Sequence, residues 1–325
     1  MHTITAHDIA DATAIVGAVM PATPQYCWPL IDAALGMRAW IKHENHTPTG
    51  AFKVRGGLVY LDKLLKREPG VAGIISATRG NHGQSLALAA GRRGLPCHIV
   101  VPVGNSVEKN AAMRALGAHL IEFGEDFQAS REHAQALARE KNLHMVPSFH
   151  PHLVAGVATG WMELLKSQPR LDVLIVAIGM GSSICAAAAA RNALGHKARI
   201  IGVTATGAPA YRLSFQARAV VSAPVTTQLA DGLACRLPDA DALAIILDNV
   251  DEIIEVTDAE VADAMRLYYR ATHNLAEGAG AAALAGALQL KDDARLKGKE
   301  IGIPLTGGNV DAPVFYRVLQ GEQDE

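Results

Sequence analysis

The chain has 325 residues, half of them hydrophobic, with 30 basic and 32 acidic side chains and a net charge of −2. That length exceeds one compact core and fits two lobes. The near-neutral balance, with no basic cluster interleaved with aromatics, excludes an electrostatic footprint for nucleic acid or an anionic membrane. Met1 to Asp8 read as neither a signal nor a transit peptide, and no apolar run is long enough to span a bilayer. A soluble, cytoplasmic protein is the expectation.

Apolar runs predict strands at 38–43, 72–77, 97–101, 118–122, 143–146, 172–178, 199–204, 252–256 and 300–305. Helical spacing predicts helices near 53–67, 81–93, 107–116, 126–141, 152–167, 183–194 and 258–275. Runs such as Val71-Ala72-Gly73-Ile74-Ile75 and Val173-Leu174-Ile175-Val176-Ala177 do not alternate, which suits parallel strands covered on both faces. The alternation of strand and helix predicts an α/β fold with open, mostly parallel twisted sheets flanked by helices. In such sheets ligands gather at the carboxyl ends of strands. Three glycine-containing loops fall there: Arg79-Gly80-Asn81-His82-Gly83, Gly179-Met180-Gly181-Ser182-Ser183 and Thr306-Gly307-Gly308-Asn309.

The turn Thr47-Pro48-Thr49-Gly50 delivers Phe52 and Lys53 to the first turn of the helix at 53–67. A lysine there is a solvated surface group by default. It becomes a carbonyl-trapping nucleophile when burial lowers its pKa. The Gly179–Ser183 loop follows an apolar strand and opens an Ala-rich helix. Read alone, it is either a phosphate cradle of free amides and hydroxyls or a plain strand-to-helix turn. It matches neither GxGxxG nor a Walker loop. Asn81 likewise suits a helix cap as well as a ligand contact.

The four cysteines, Cys27, Cys97, Cys185 and Cys235, lie far apart without a ligand pattern, so buried free thiols are expected. The histidines His43, His46, His82, His150 and His152 form no metal-spaced pair, and no nucleophile elbow is present.

Ala51-Phe52-Lys53-Val54-Arg55-Gly56 resembles the lysine signature of fold-type II pyridoxal-phosphate (PLP) enzymes, the group of threonine and serine dehydratases, serine racemases and tryptophan synthase β chains. There the lysine binds PLP as a Schiff base, which maps to Lys53, with Phe52 beside it. Ser76-Ala77-Thr78-Arg79-Gly80-Asn81-His82-Gly83-Gln84 resembles the family's Ser-x-Gly-Asn-His-Gly-Gln loop. The resemblance assigns Asn81 to the phenolic oxygen of PLP, and Ser76, Thr78, Arg79, Gly80 and His82 to the substrate. Gly179, Met180, Gly181, Ser182 and Ser183 stand where the family usually has a tetraglycine phosphate loop. Thr306 in Thr306-Gly307-Gly308-Asn309 takes the hydroxyl facing the pyridine nitrogen, and Ala230-Asp231-Gly232 resembles a dehydratase run that brings Gly232 beside the ring. Glu277, before Gly278-Ala279-Gly280, reads equally as a helix-start charge or a site residue.

Two departures matter. The residue before Gly-Asn-His is a serine in serine racemases, where it serves as the opposite-face acid/base, and here it is Arg79. A guanidinium does not exchange protons near neutrality, so racemisation is disfavoured. The family's divalent-metal loop has Thr204 and Ala210 in place of its acids, so no metal is expected, although carbonyls leave a monovalent cation open.

The resemblance implies the tryptophan synthase β-like fold, with a large PLP-binding domain from 1–49 and 149–325 and a small domain at 50–148. No carboxyl-terminal regulatory domain is expected. It implies a dehydratase converting a β-hydroxy-α-amino acid of the threonine/serine class, or a bulkier one such as 3-phenylserine, to a 2-oxo acid and ammonia. Another PLP reaction (racemisation or β-replacement) and a non-catalytic PLP-binding protein are the rival readings. The partners implied are a small amino-acid substrate and, as an open option, a second copy in a homodimer.

Overall fold

Strand β7 (Val173–Ala177) shows how the chain spends its apolar runs. All five residues are buried. Val173, Ile175 and Ala177 enter one hydrophobic core, whereas Leu174 and Val176 enter another on the opposite face. A strand covered on both sides has no face to leave polar, and each large side chain so buried contributes roughly 1.5–3 kcal/mol.

The computed structural model describes residues 4–321; the outermost ends of the expected large domain, 1–3 and 322–325, lie outside the described residues, as do the first three residues of the segment 1–8 read as neither a signal nor a transit peptide. The remaining strands are β1 (Gln25–Cys27), β2 (Arg38–His43), β3 (Ile74–Ala77), β4 (Cys97–Val101), β5 (His119–Glu122), β6 (His144–Met145), β8 (Arg199–Ala205), β9 (Glu252–Val256) and β10 (Glu300–Leu305). They form a six-stranded sheet in the order β1-β2-β10-β7-β8-β9 and a four-stranded sheet in the order β5-β4-β3-β6. Every pairing is parallel except the short β1–β2 ribbon. The α/β fold with two mostly parallel sheets is therefore as expected.

The helices in chain order are α1 (Ala6–Gly17), α2 (Pro29–Leu35), α3 (Lys53–Arg67), α4 (Asn81–Gly91), α5 (Val107–Ala115), α6 (Phe127–Glu140) and α7 (Pro151–Ser167). They continue with α8 (Ser182–Ala193), α9 (Ala210–Ala217), α10 (Ala240–Asn249), α11 (Asp258–Thr272), α12 (Gly278–Gln289) and α13 (Ala312–Gln320). Helix α3 covers the expected 53–67. Helix α11 stops before the expected 275, because His273 turns left-handed at φ 56° and caps it. Helices α1, α2, α9, α10 and α13 and strand β1 were not foreseen. The first had a readable signal: Thr5 and Asp8 form a reciprocal capping box. Strand β1 exists only through its three-residue pairing with β2.

No described helix is long and apolar enough to cross a membrane, and the described residues hold no cluster suited to a metal ion. Cys97, Cys185 and Cys235 are buried free thiols, and Cys27 is half-buried.

Candidate active site

Lys53 opens α3, and the turn before it is tied to the carboxyl end of β10. The Phe52 amide donates to the Thr306 carbonyl at 2.9 Å, the Gly308 amide donates to Gly50 at 2.9 Å, and Ala51 bridges Gly307. From the other side, Ser85 Oγ donates to the Lys53 carbonyl at 2.7 Å. The lysine is thus held between the two sheets. Its ammonium lies 4.8 Å from the centre of the Phe52 ring. Burial lowers its pKa from 10.5 to about 8, against the pull of the Glu277 carboxylate. That shift gives roughly 300-fold more free amine near neutrality than an ordinary lysine has.

Lys53 lines two adjoining cavities. The inner one encloses about 410 Å³ and is also lined by Phe52, Asn81, Gly179, Met180, Gly181, Ser182, Ser183, Gly232, Glu277 and Thr306. Gly181 has φ +90°, a conformation that favours glycine, and from it the chain enters α8. The first intrahelical bond runs from Cys185 back to Gly181, which leaves the amides of Ser182 to Ile184 unspent. Ser182 and Ser183 are buried beside them. A phosphate fits this end: unspent amides, two hydroxyls and a helix dipole at the cavity wall. Lys53 is the only cation in the lining, so neutral donors would carry the phosphate. Thr306 is buried, with its hydroxyl only 3.4 Å from the Ala279 carbonyl and no carboxylate attached.

The outer cavity encloses about 710 Å³ and is lined by Lys53, Thr78, Arg79, Gly80, Asn81 and His82 on one side, with Lys109, Asp231 and Glu277 among the remainder. Thr78 Oγ1 accepts from the Gly80 amide at 3.1 Å, which folds the loop over the start of α4. Asn81 donates to Glu277 Oε1 and accepts from Asn309 Nδ2 at 2.8 Å. One amide proton of Asn81 is left for a ligand. His82 is buried, and burial together with the Lys53 charge lowers its pKa to about 3, so it is neutral. Arg79 is exposed at the rim and makes no hydrogen bond or ion pair with another described residue.

All of the expected site residues except Ser76 line one or both of these cavities. Ser76 lies in β3, and its hydroxyl donates to the Val146 carbonyl at 2.9 Å. Strand alternation turns it away from the loop. Glu277 caps α12 but makes no side-chain capping bond; its carboxylate goes to the site instead. Lys109 escaped notice in the sequence. It stands in the first turn of a polar helix, and its partners are more than a hundred positions away.

Residues 20–307 match the family described as pyridoxal-phosphate dependent enzyme. The chain belongs to this family. As a family member it is a PLP-dependent enzyme, and the inner cavity suits that cofactor. It is 31% identical over 316 residues to L-threo-3-hydroxyaspartate ammonia-lyase of a Pseudomonas species, covering 97% of this chain and 98% of that protein. Among solved structures it resembles maize serine racemase, with a TM-score of 0.91, 28% identity and 98% of each chain covered. It also resembles the processed form of threonine deaminase isoform 2 from Solanum lycopersicum, with a TM-score of 0.90, 27% identity and coverage of 97% and 87%. This PLP-dependent enzyme thus resembles both ammonia-releasing and racemising proteins.

Proposed function

We propose that the enzyme is an ammonia-lyase that removes the β-hydroxyl of a β-hydroxy-α-amino acid and releases a 2-oxo acid and ammonia. The carrying observation is the pairing of Lys53, a half-buried amine between two cavities, with Arg79 on the substrate side. Bound in the inner cavity, PLP supplies the electron sink for charge that develops at the substrate Cα. Gly179 to Ser183 would hold its phosphate, and Asn81, Gly232 and Thr306, which line the same cavity, would hold its ring. The free amides at the start of α4, with Thr78, Gly80 and His82, receive the α-carboxylate. Lys53 takes the Cα proton. The β-hydroxyl departs as water, and a second water releases ammonia from the remaining carbon skeleton. A neutral hydroxyl at Thr306 leaves the sink weaker than an acid partner would, which favours prompt loss of the β-group. The segment 50–148 is proposed to act as the small lobe against both flanks, consistent with the two sheets.

The absence of a proton-exchanging group at Arg79 weighs against racemisation. Its free guanidinium also favours a substrate whose side chain ends in a carboxylate, such as 3-hydroxyaspartate, because a bidentate ion pair would form there. The test is a panel of serine, threonine, 3-hydroxyaspartate and 3-phenylserine scored for 2-oxo acid and ammonia. Release from at least one is expected, with 3-hydroxyaspartate leading. If none reacts, the substrate class is wrong.

A further inference from the structure

Lys109 lies in the first turn of α5, beside the four-stranded sheet, and is 7% exposed. Its ammonium crosses the cleft to Asp231 Oδ2 at 2.9 Å and stands 3.2 Å from Glu277 Oε2. The second contact is an ion pair without a well-directed hydrogen bond. The stem of Lys109 lies along the loop that presents Asn81: a Cβ on Gly80 would sit 2.5 Å from Lys109 Cδ. Asn81 in turn donates to the other oxygen of Glu277. Beside it, Ser106 Oγ donates to Asp311 Oδ1 at 2.5 Å, and Glu108 Oε1 accepts from the Ala312 amide at 2.8 Å. The first turn of α5 is therefore anchored across the cleft at three places.

We propose that Lys109 is a positioning residue for Lys53, acting through Glu277: its cation keeps Glu277 a carboxylate and fixes the Asn81 loop, and that carboxylate sets the charge felt by the lysine amine. Lys109, Asp231, Asn81 and Lys53 are the polar groups facing Glu277; Glu277, neutral His82 and the Phe52 ring face Lys53. Burial and Asp231 both push Glu277 toward its neutral form, and Lys109 is the main force in the opposite direction. Without Lys109, the balance on Glu277 shifts toward its neutral form. The attraction that holds the Lys53 ammonium is then weakened, and the amine pKa falls further. The inference rests on Lys53 being the lysine that captures the cofactor.

The experiment adds pyridoxal phosphate to apoenzyme and follows the rate of colour formation against pH, which gives the pKa of the capturing amine. Lys109→Met keeps the stem and removes the charge; Lys109→Arg keeps the charge. The midpoint of Lys109→Met should fall by about one pH unit, with a larger loss in kcat than change in KM, and Lys109→Arg should stay near the parent. An unchanged midpoint in Lys109→Met, or equal shifts in both variants, overturns the proposal. Should Lys109→Met not fold, Glu277→Gln removes the same carboxylate charge and must lower the midpoint in the same direction. Lys53→Ala separates the two readings. Colour formation unchanged by that substitution sinks the role of Lys53 and the inference with it. Loss of colour there, beside an unmoved Lys109→Met midpoint, sinks the inference alone.

Discussion

Two buried charge clusters flank Lys53, and they differ in one respect. Beneath α3, Arg55 and Lys42 face Glu44 and Glu163. Arg55 Nε is 2.7 Å from Glu44 Oε2, Arg55 Nη1 is 2.7 Å from Glu163 Oε1, and Lys42 Nζ is 2.6 Å from Glu163 Oε2. Two cations meet two acids, and Thr159 and Thr23 add further hydrogen bonds to the guanidinium. In the cleft, Asp231 and Glu277 have one directly bound cation, Lys109, and the next is Lys53. The first cluster is closed and serves to seat the helix. The second is one charge short unless Lys53 completes it, so its electrostatics depend on what the lysine is doing.

Breaking this contrast begins with the largest effect. Lys53→Ala should abolish cofactor-dependent activity, by at least about a thousand-fold, with thermal stability of the apoenzyme little changed. Arg55→Leu should instead cost stability, about 3–5 kcal/mol, because it leaves buried carboxylates without their guanidinium; the denaturant midpoint measures it, and the capturing-amine pKa should hold. Burial alone would raise the Glu44 carboxyl, but Arg55 and Lys42 hold it below its ordinary 4.5. The sign follows. That contribution is fully present above the ordinary carboxylate range and is lost as pH falls through the lower native value. Arg55→Leu should therefore flatten the acid limb of the stability profile.

Arg79→Gln addresses specificity alone. Turnover of 3-hydroxyaspartate should fall about ten- to a hundred-fold in kcat/KM, while threonine changes little; an equal loss for both would remove Arg79 from side-chain recognition. At the small end, Arg114 and Glu122 form an exposed pair at 2.9 Å. Arg114→Ala should alter stability by less than about 0.5 kcal/mol, which sets the baseline for what an open ion pair contributes.

The features legible in the sequence were those written in neighbouring residues. Lys53, the Gly179–Ser183 loop and Asn81 each sit in a strand-to-helix or turn-to-helix junction whose glycines and hydroxyls are local. The sheets were legible because runs such as 173–177 are apolar throughout. What escaped was set at a distance. Lys109 meets Asp231 and Glu277 only once the sheets face each other, and nothing around it in sequence distinguishes it from a solvated helix lysine. Ser76 differs in the opposite direction: its place in a recognisable loop suggested a ligand contact, whereas it lies in β3 with its hydroxyl donating to the Val146 carbonyl. Helix α9 starts directly after Pro209 and α10 after Pro238 and the capping Asp239, so both had local start signals, and they pack near α8 and β9.

The proposed chemistry is tested most directly by incubating the PLP-loaded enzyme with a single enantiomer of 3-hydroxyaspartate, threonine or serine. 2-Oxo acid, ammonia and the opposite enantiomer are then measured together. Equal amounts of 2-oxo acid and ammonia from at least one of them, abolished in Lys53→Ala and without accumulation of the opposite enantiomer, is the predicted result. Stereoinversion without 2-oxo acid would contradict it.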